Sequence, residues 1–239
     1  MAFFDKKFCD ICGAKIGLLG NHKLSDGNMC KECAKKMSPF MTGRKQYSVA
    51  EMKEHLAYRE ANQQRVASFN PTRTFGIGTK VYLDDNQGLM VVSSKPRYRE
   101  DNADLIEFNQ VTGCDLDIQE SRREVKRKDS EGKEVSYVPA RYKYEYDFYI
   151  VIHVGHPWFN QIRFRVNQST IEGKTSMPYK ETDRKATELR DALQNLHQEV
   201  RASAAEAAKP KTSVNCPGCG ASTLPDANGR CEYCGFAIS

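Results

Sequence analysis

The chain has 239 residues, enough for one medium domain and two small modules. Its composition, 39% hydrophobic and 28% charged, supports a buried core, and no apolar run approaches the roughly 20 residues of a membrane-spanning helix. The net charge of +5, from 36 Lys+Arg against 31 Asp+Glu, permits an anionic partner and demands none.

The opening stretch to Asp10 has no long apolar segment and no small-residue cleavage site, so no signal peptide is expected. Eight of the nine cysteines fall into two sets of paired CxxC knuckles: Cys9, Cys12, Cys30 and Cys33, then Cys216, Cys219, Cys231 and Cys234. Each set offers the four thiolates of a closed tetrahedral zinc site, so two zinc ions are expected. Thiolate sites suit a reducing compartment, which points to the cytoplasm. In the first set Gly13 follows Cys12 and lets the backbone fold under the sulfurs, whereas Cys33 is followed by a helix-forming Ala-Lys-Lys-Met run. One knuckle on a turn and one at a helix start is a treble-clef arrangement. His22 is a further ligand type, but four cysteines already complete the set.

Ser48 and Glu51 make a capping box for a helix reaching about Ser68, which Asn70-Pro71 ends. Its thin apolar stripe of Val49, Met52 and Leu56 predicts a surface helix docked on one face. From Arg73 to about Asn167 the apolar period becomes two. Val81 and Leu83, Met90 and Val92, Leu116 and Ile118, the run from Tyr144 to Val154, and Ile162 to Val166 predict about seven half-buried antiparallel strands. Hairpin turns are expected near Asn86 and Ser130. Ala186, Leu189, Leu193, Leu196 and Val200 mark one amphipathic helix from about Thr182 to Ala204. A tether around Pro210 follows, and then a zinc ribbon whose knuckles both end in Cys-Gly.

Other candidate chemistry is sparse. Cys114 sits unpaired in a strand pattern and reads as a buried structural thiol; His153 lies opposite the Ile152/Val154 face; Trp158 in the His156–Phe159 turn reads as a core plug. No phosphate loop, nucleophile elbow or HExxH is present, so no catalytic or cofactor-binding residue is assigned and the protein is not expected to be an enzyme. Arg122, Arg123, Lys126, Arg127 and Lys128 alternate with Glu120, Glu124, Asp129 and Glu131, which predicts a solvated arm and only weak, salt-sensitive nucleic-acid binding.

The segment from Cys9-Asp10-Ile11-Cys12-Gly13 through Cys30-Lys31-Glu32-Cys33 to Ser38-Pro39-Phe40 resembles a small zinc-binding domain, known by a DUF number, that opens many bacterial proteins of unknown function. The order of about seven strands and one helix over residues 72–204 resembles the pleckstrin-homology-like superfold, and the last segment resembles short bacterial zinc ribbons. Together these imply an α+β chain. Its expected parts are a zinc module at 1–45, a connecting helix at 46–71, a partial barrel capped by a helix at 72–204, a linker at 205–214 and a ribbon at 215–239. Phosphoinositide-binding members of that superfold use a basic first-strand loop. The corresponding loop here, Asp84-Asp85-Asn86-Gln87-Gly88, repels phosphate, so phosphoinositide or membrane binding is not expected. The expected role is a zinc-binding adaptor or scaffold for a protein partner. The alternative is nucleic-acid or ribonucleoprotein binding through Lys6, Lys7, Lys23, Lys31, Lys35, Lys36, Arg44 and Lys45 of the basic zinc module.

Overall fold

The computed structural model describes residues 7–207, 213–226 and 229–238. They form two compact units, Met1–Gln198 and Glu199–Ser239. No helix among them is long and apolar enough to cross a membrane.

The first unit begins with a small hairpin, β1 (His22–Lys23) and β2 (Asn28–Met29), followed by the short helix α1 (Lys31–Lys35). Helix α2 spans Val49–Ser68, and both halves of its capping box form, Ser48 bonding the Glu51 N–H and Glu51 the Ser48 N–H. Four strands then make one antiparallel sheet in sequence order: β3 (Arg73–Phe75), β4 (Lys80–Asp84), β5 (Leu89–Ser93) and β6 (Leu105–Glu107). Strict alternation sorts its side chains. The register Val81↔Val92, Leu83↔Met90 and Met90↔Ile106 places these residues on one fully buried face. Val91 and Leu105 share the other face, where Val66 and Phe69 at the end of α2 pack on them.

A second sheet follows. β7 (Val111–Lys128) and β8 (Glu134–His156) form a long hairpin closed by a turn in which Asp129 Oδ1 accepts the N–H groups of Glu131 and Lys133, each at 2.9 Å. β9 (Phe159–Arg165) and β10 (Ile171–Glu172) both pair with the inner part of β8. Cys114, Phe148, Ile150, Ile152 and Ile162 line its buried face. Helix α3 (Met177–Ala207) lies against this sheet. The rings of Tyr146 and Phe148 stand 4.9 and 5.0 Å from that of Tyr179, and Gln194 Nε2 donates to the Cys114 carbonyl at 3.0 Å.

Two expectations change. Where one partial barrel is expected, the strands of the described residues make two separate four-stranded sheets, with no closed barrel. Helix α3 is also longer at both ends than the apolar spacing predicts. Pro178 is tolerated in a first helical turn, where its missing N–H has no intrahelical partner, and the Ala-rich run after Ala204 favours helix intrinsically. The tether around Pro210 lies outside the described residues. The second unit holds the strands β11 (Val214–Asn215) and β12 (Ser222–Thr223), which pair antiparallel.

Candidate metal centres and the polar network behind one of them

Three of the four CxxC knuckles share one backbone device. The glycine after the second cysteine takes a left-handed conformation, φ +73° at Gly13, +74° at Gly220 and +73° at Gly235. Its N–H then donates to the carbonyl of the first cysteine at 2.7–2.8 Å, in Gly13 to Cys9, Gly220 to Cys216 and Gly235 to Cys231. The first cysteine's own N–H closes the loop five residues on, at Ala14, Ala221 and Phe236. Only glycine enters this conformation without a Cβ penalty, so the device is legible in the sequence. The fourth knuckle is different. Cys30 is the N-cap of α1, and its sulfur accepts the Cys33 N–H at 3.4 Å. The helix start thus replaces the turn, and its N–H groups favour negative charge on sulfur.

Within each set the ligand atoms all lie within 4.8 Å of one another. Sulfur–sulfur separations are 3.9 Å for Cys9–Cys33 and 3.7 Å for Cys12–Cys30, then 3.5 Å for Cys216–Cys234 and 3.8 Å for Cys219–Cys231. A tetrahedral thiolate set with zinc–sulfur bonds of about 2.3 Å has edges of about 3.8 Å, so both clusters are geometrically suited to zinc. The electrostatics agree. Burial raises the Cys9 thiol, but the N–H groups of Cys12, Cys30 and Ile11 outweigh it and bring Cys9 down to about 6. Burial and the neighbouring sulfurs push Cys33 well up. In the second set the N–H groups of Cys219 and Gly218 overcome burial and bring Cys216 to about 7. At Cys234 the Phe236 N–H pulls down, but burial and three neighbouring sulfurs prevail and push it up to about 12. The first thiolate forms easily and the last is opposed by its neighbours, a penalty that a shared cation removes. His22 stays outside the cluster, on β1, with burial, Arg44 and Lys31 holding it below the ordinary imidazole value.

Behind the N-terminal cluster lies a network that apolar spacing does not reveal. The hydrophobic cluster of Cys9, Met29, Cys30 and Cys33 continues into Met52 and Leu56 of α2, with Trp158 packed against it. Helix α2 docks on one face, as expected, but that face is wider than the apolar spacing shows. Its buried stripe is Met52, His55, Leu56, Arg59, Asn62 and Val66, and half of these are polar. Arg59 Nη1 meets Asp104 Oδ1 at 2.5 Å, and both side chains are at most 5% exposed. Arg59 also donates to the carbonyls of Lys36 and Asn102. Ser38 Oγ donates to the other oxygen of Asp104 at 2.7 Å, and burial raises that carboxyl despite the guanidinium beside it. Asn62 donates to Ala103 and accepts from the Leu105 N–H. His55 Nε2 accepts the Ser38 N–H at 3.0 Å, which requires that nitrogen to be unprotonated. His156 Nε2 meets the Tyr58 hydroxyl at 3.0 Å. Burial and then Arg59 hold His55 and His156 down to about 4. These contacts join the N-terminal four-cysteine module, α2, the loop before β6 and the end of β8.

The remaining candidates stay apart. Cys114 is buried, and burial pushes its thiol up to about 12. His153 Nε2 pairs with Asp115 at 2.8 Å on the opposite, solvent-facing side of the sheet. Asp84 in the β4–β5 turn is 1% exposed and accepts the N–H groups of Asn70, Asn86 and Gln87, while Asp85 is bound by Thr72 and Arg73. Of the basic zinc-module residues, Lys35 pairs with Glu32 at 2.8 Å, and Lys6 lies outside the described residues.

The molecule is thus a mixed α/β chain with a four-cysteine cluster in each of its two units. Residues 7–55 match the family described as Domain of unknown function (DUF4428), a stretch that takes in the N-terminal cluster and the first turns of α2. No curated protein and no solved structure matches the chain.

Proposed function

We propose that the chain is a non-enzymatic adaptor or scaffold that holds two structural zinc ions and recognises a protein partner in a reducing, cytoplasmic setting. The observation that carries this reading is the pair of four-sulfur clusters with tetrahedral edge lengths. Bound zinc would cross-link two knuckles at each site and contribute folding free energy on the order of 10 kcal/mol. The histidines and the lone thiol support a non-catalytic role. Cys114 is inert by burial, and His55 and His156 serve as neutral packing groups. A cavity of about 250 Å³ beside Phe40, Val92 and Phe164 has neither cysteine nor histidine in its lining.

Two antiparallel sheets followed by a helix over residues 72–204 support the pleckstrin-homology-like resemblance, here without a barrel that closes. The acidic β4–β5 turn, its carboxylates spent on local hydrogen bonds, favours protein over phosphoinositide as the partner. Leu18 and Leu19, 85% and 97% exposed in the zinc-module loop, supply an apolar contact. Elemental analysis of metal-replete protein should find two zinc ions, and Cys12→Ser should lose one of them. Pull-down with quantitative mass spectrometry should recover a partner that the Leu18→Ser/Leu19→Ser variant loses. One metal or none sinks the zinc reading, and capture indifferent to the leucines removes this contact.

A further inference from the structure

In the sequence, acids and bases alternate along the β7–β8 arm, but the register leaves one face mostly cationic and the other mixed. Pairing of β8 with a third strand ends at Glu145, so from Lys143 outward the hairpin is a free two-stranded ribbon among the described residues. Cross-strand partners share a face. The pairs Arg123↔Lys143 and Val125↔Arg141 therefore lie on the face that continues inward through Asp117 and Tyr149, the solvent side of the sheet. The acids Glu120 and Glu124 fall on the opposite face, across from Tyr146 and Tyr142, together with Arg122, Lys126 and Lys128.

Further inward, the cations of the solvent face are neutralised at close range, Arg163 by Asp117 at 2.9 Å and Arg165 by Asp147 at 2.5 Å. Further out, beyond the pairs of Arg123 and Lys143, it stops. Arg127 and Arg141 converge on one ring, Tyr137, with guanidinium carbons 6.0 and 4.6 Å from its centroid. Among the described residues, Arg122, Lys126, Arg127, Lys128, Lys133 and Arg141 make no ion pair. Arg123 pairs with the half-buried Glu145 at 3.1 Å and Lys143 with the exposed Glu172 at 2.7 Å, and pairs with an exposed partner are worth little and exchange readily. Between Arg122 and Lys143 eight cations face four acids, and one of these, Asp129, is held in the turn. That excess is nearly the whole net charge of the chain. A bulge of Tyr137–Ala140 opposite Val125 and Lys126 presents Val138, 99% exposed, among these cations.

We propose that the outer β7–β8 ribbon is a docking surface for duplex DNA, with Arg127, Arg141, Arg123 and Lys143 on the phosphates and Val138 against the groove. A two-stranded ribbon has the width of the major groove, and its arginines match phosphate bidentately. Val138 is the kind of apolar side chain that meets thymine methyl groups. The surface goes beyond the adaptor reading and shares no residue with the loop of Leu18 and Leu19 invoked there, so each can fail alone.

The test is fluorescence anisotropy of a labelled 24-base-pair duplex with the full, zinc-loaded chain across 50–200 mM salt. Binding should be micromolar or tighter at the low end, with log K falling against log salt at about −0.9 per phosphate engaged. Arg127→Gln/Arg141→Gln should weaken binding about tenfold and flatten the slope by about 1.8, while retaining two zinc ions and the wild-type circular dichroism. Lys53→Gln/Lys180→Gln, an equal change of charge on exposed helix positions, should stay within about twofold. No binding by the wild type overturns the proposal, as does equal loss in both variants. So does loss on Lys35→Gln/Lys36→Gln instead, which would move the site to the zinc module. Ribbon-dependent binding that is tighter to structured RNA or to phosphatidylserine vesicles than to the duplex also overturns it.

Discussion

Arg59 and Asp104 form a buried ion pair whose loss should be costly. Each is nearly inaccessible, so removing one leaves a buried charge without its partner. Asp104→Ala is expected to cost about 3–5 kcal/mol in denaturant unfolding, whereas Arg59→Met with Asp104→Leu should recover much of that loss. The buried histidines set a pH dependence. In the folded chain His55 and His156 remain neutral down to about 4, but unfolded they bind protons below their ordinary 6.5. The unfolded state therefore holds more protons between these values, and stability falls as pH drops from 6.5 towards 4. Above 6.5 the two groups contribute no slope. Denaturant midpoints at pH 7.5 and 5.5 in saturating zinc should differ less for His55→Gln/His156→Gln than for the wild type. An unchanged difference would assign the acid sensitivity elsewhere.

At the scale of elements, the knuckles depend on backbone conformation more than on space. An added Cβ at Gly13, Gly220 or Gly235 meets nothing within 4 Å, yet each holds a positive φ. Gly220→Ala should therefore cost the strain of the left-handed region alone, about 1–2 kcal/mol. In competition with a chromophoric chelator that is roughly a five- to thirtyfold loss of zinc affinity at the C-terminal site, with the N-terminal site unchanged. Asparagine at the same position should fall between the two, because its side chain tolerates this conformation. The knuckles, the α2 capping box and the strand alternation were legible because each is a local device, closed within about five residues. The role of α2 was not. Reading Val49, Met52 and Leu56 as its apolar stripe misses a buried face whose other half is His55, Arg59 and Asn62, residues that bury only because Ser38, Asp104 and Leu105 come to meet them. The ends of α3 were missed because the apolar repeat, unlike helix propensity, stops short of them.

At the scale of the whole molecule the two four-cysteine clusters should behave differently once loaded with zinc. The metal-free core of alternating strands suggests that removing zinc would unfold only the end modules. The N-terminal cluster, however, shares its hydrophobic surroundings with α2 and Trp158, while the C-terminal cluster lies in a separate compact unit. Cys12→Ser should therefore lower the melting temperature of the larger unit and shift the fluorescence of Trp158, the only tryptophan. Cys219→Ser should do neither. Equal behaviour of the two variants would mean that the N-terminal centre is not integral to that core. The sequence by itself determined the eight clustered cysteines, the three glycine-ended turns, the helix cap and the strand alternation, because spacing along a chain suffices for contacts that the backbone closes locally. The tertiary structure alone decided that the sheets stay open, that a polar face of α2 is buried in the core, and that one face of the ribbon is mostly cationic. Those depend on pairs such as Ser38 with Asp104 and Tyr58 with His156, 66 and 98 residues apart, and on a register that only strand pairing sets.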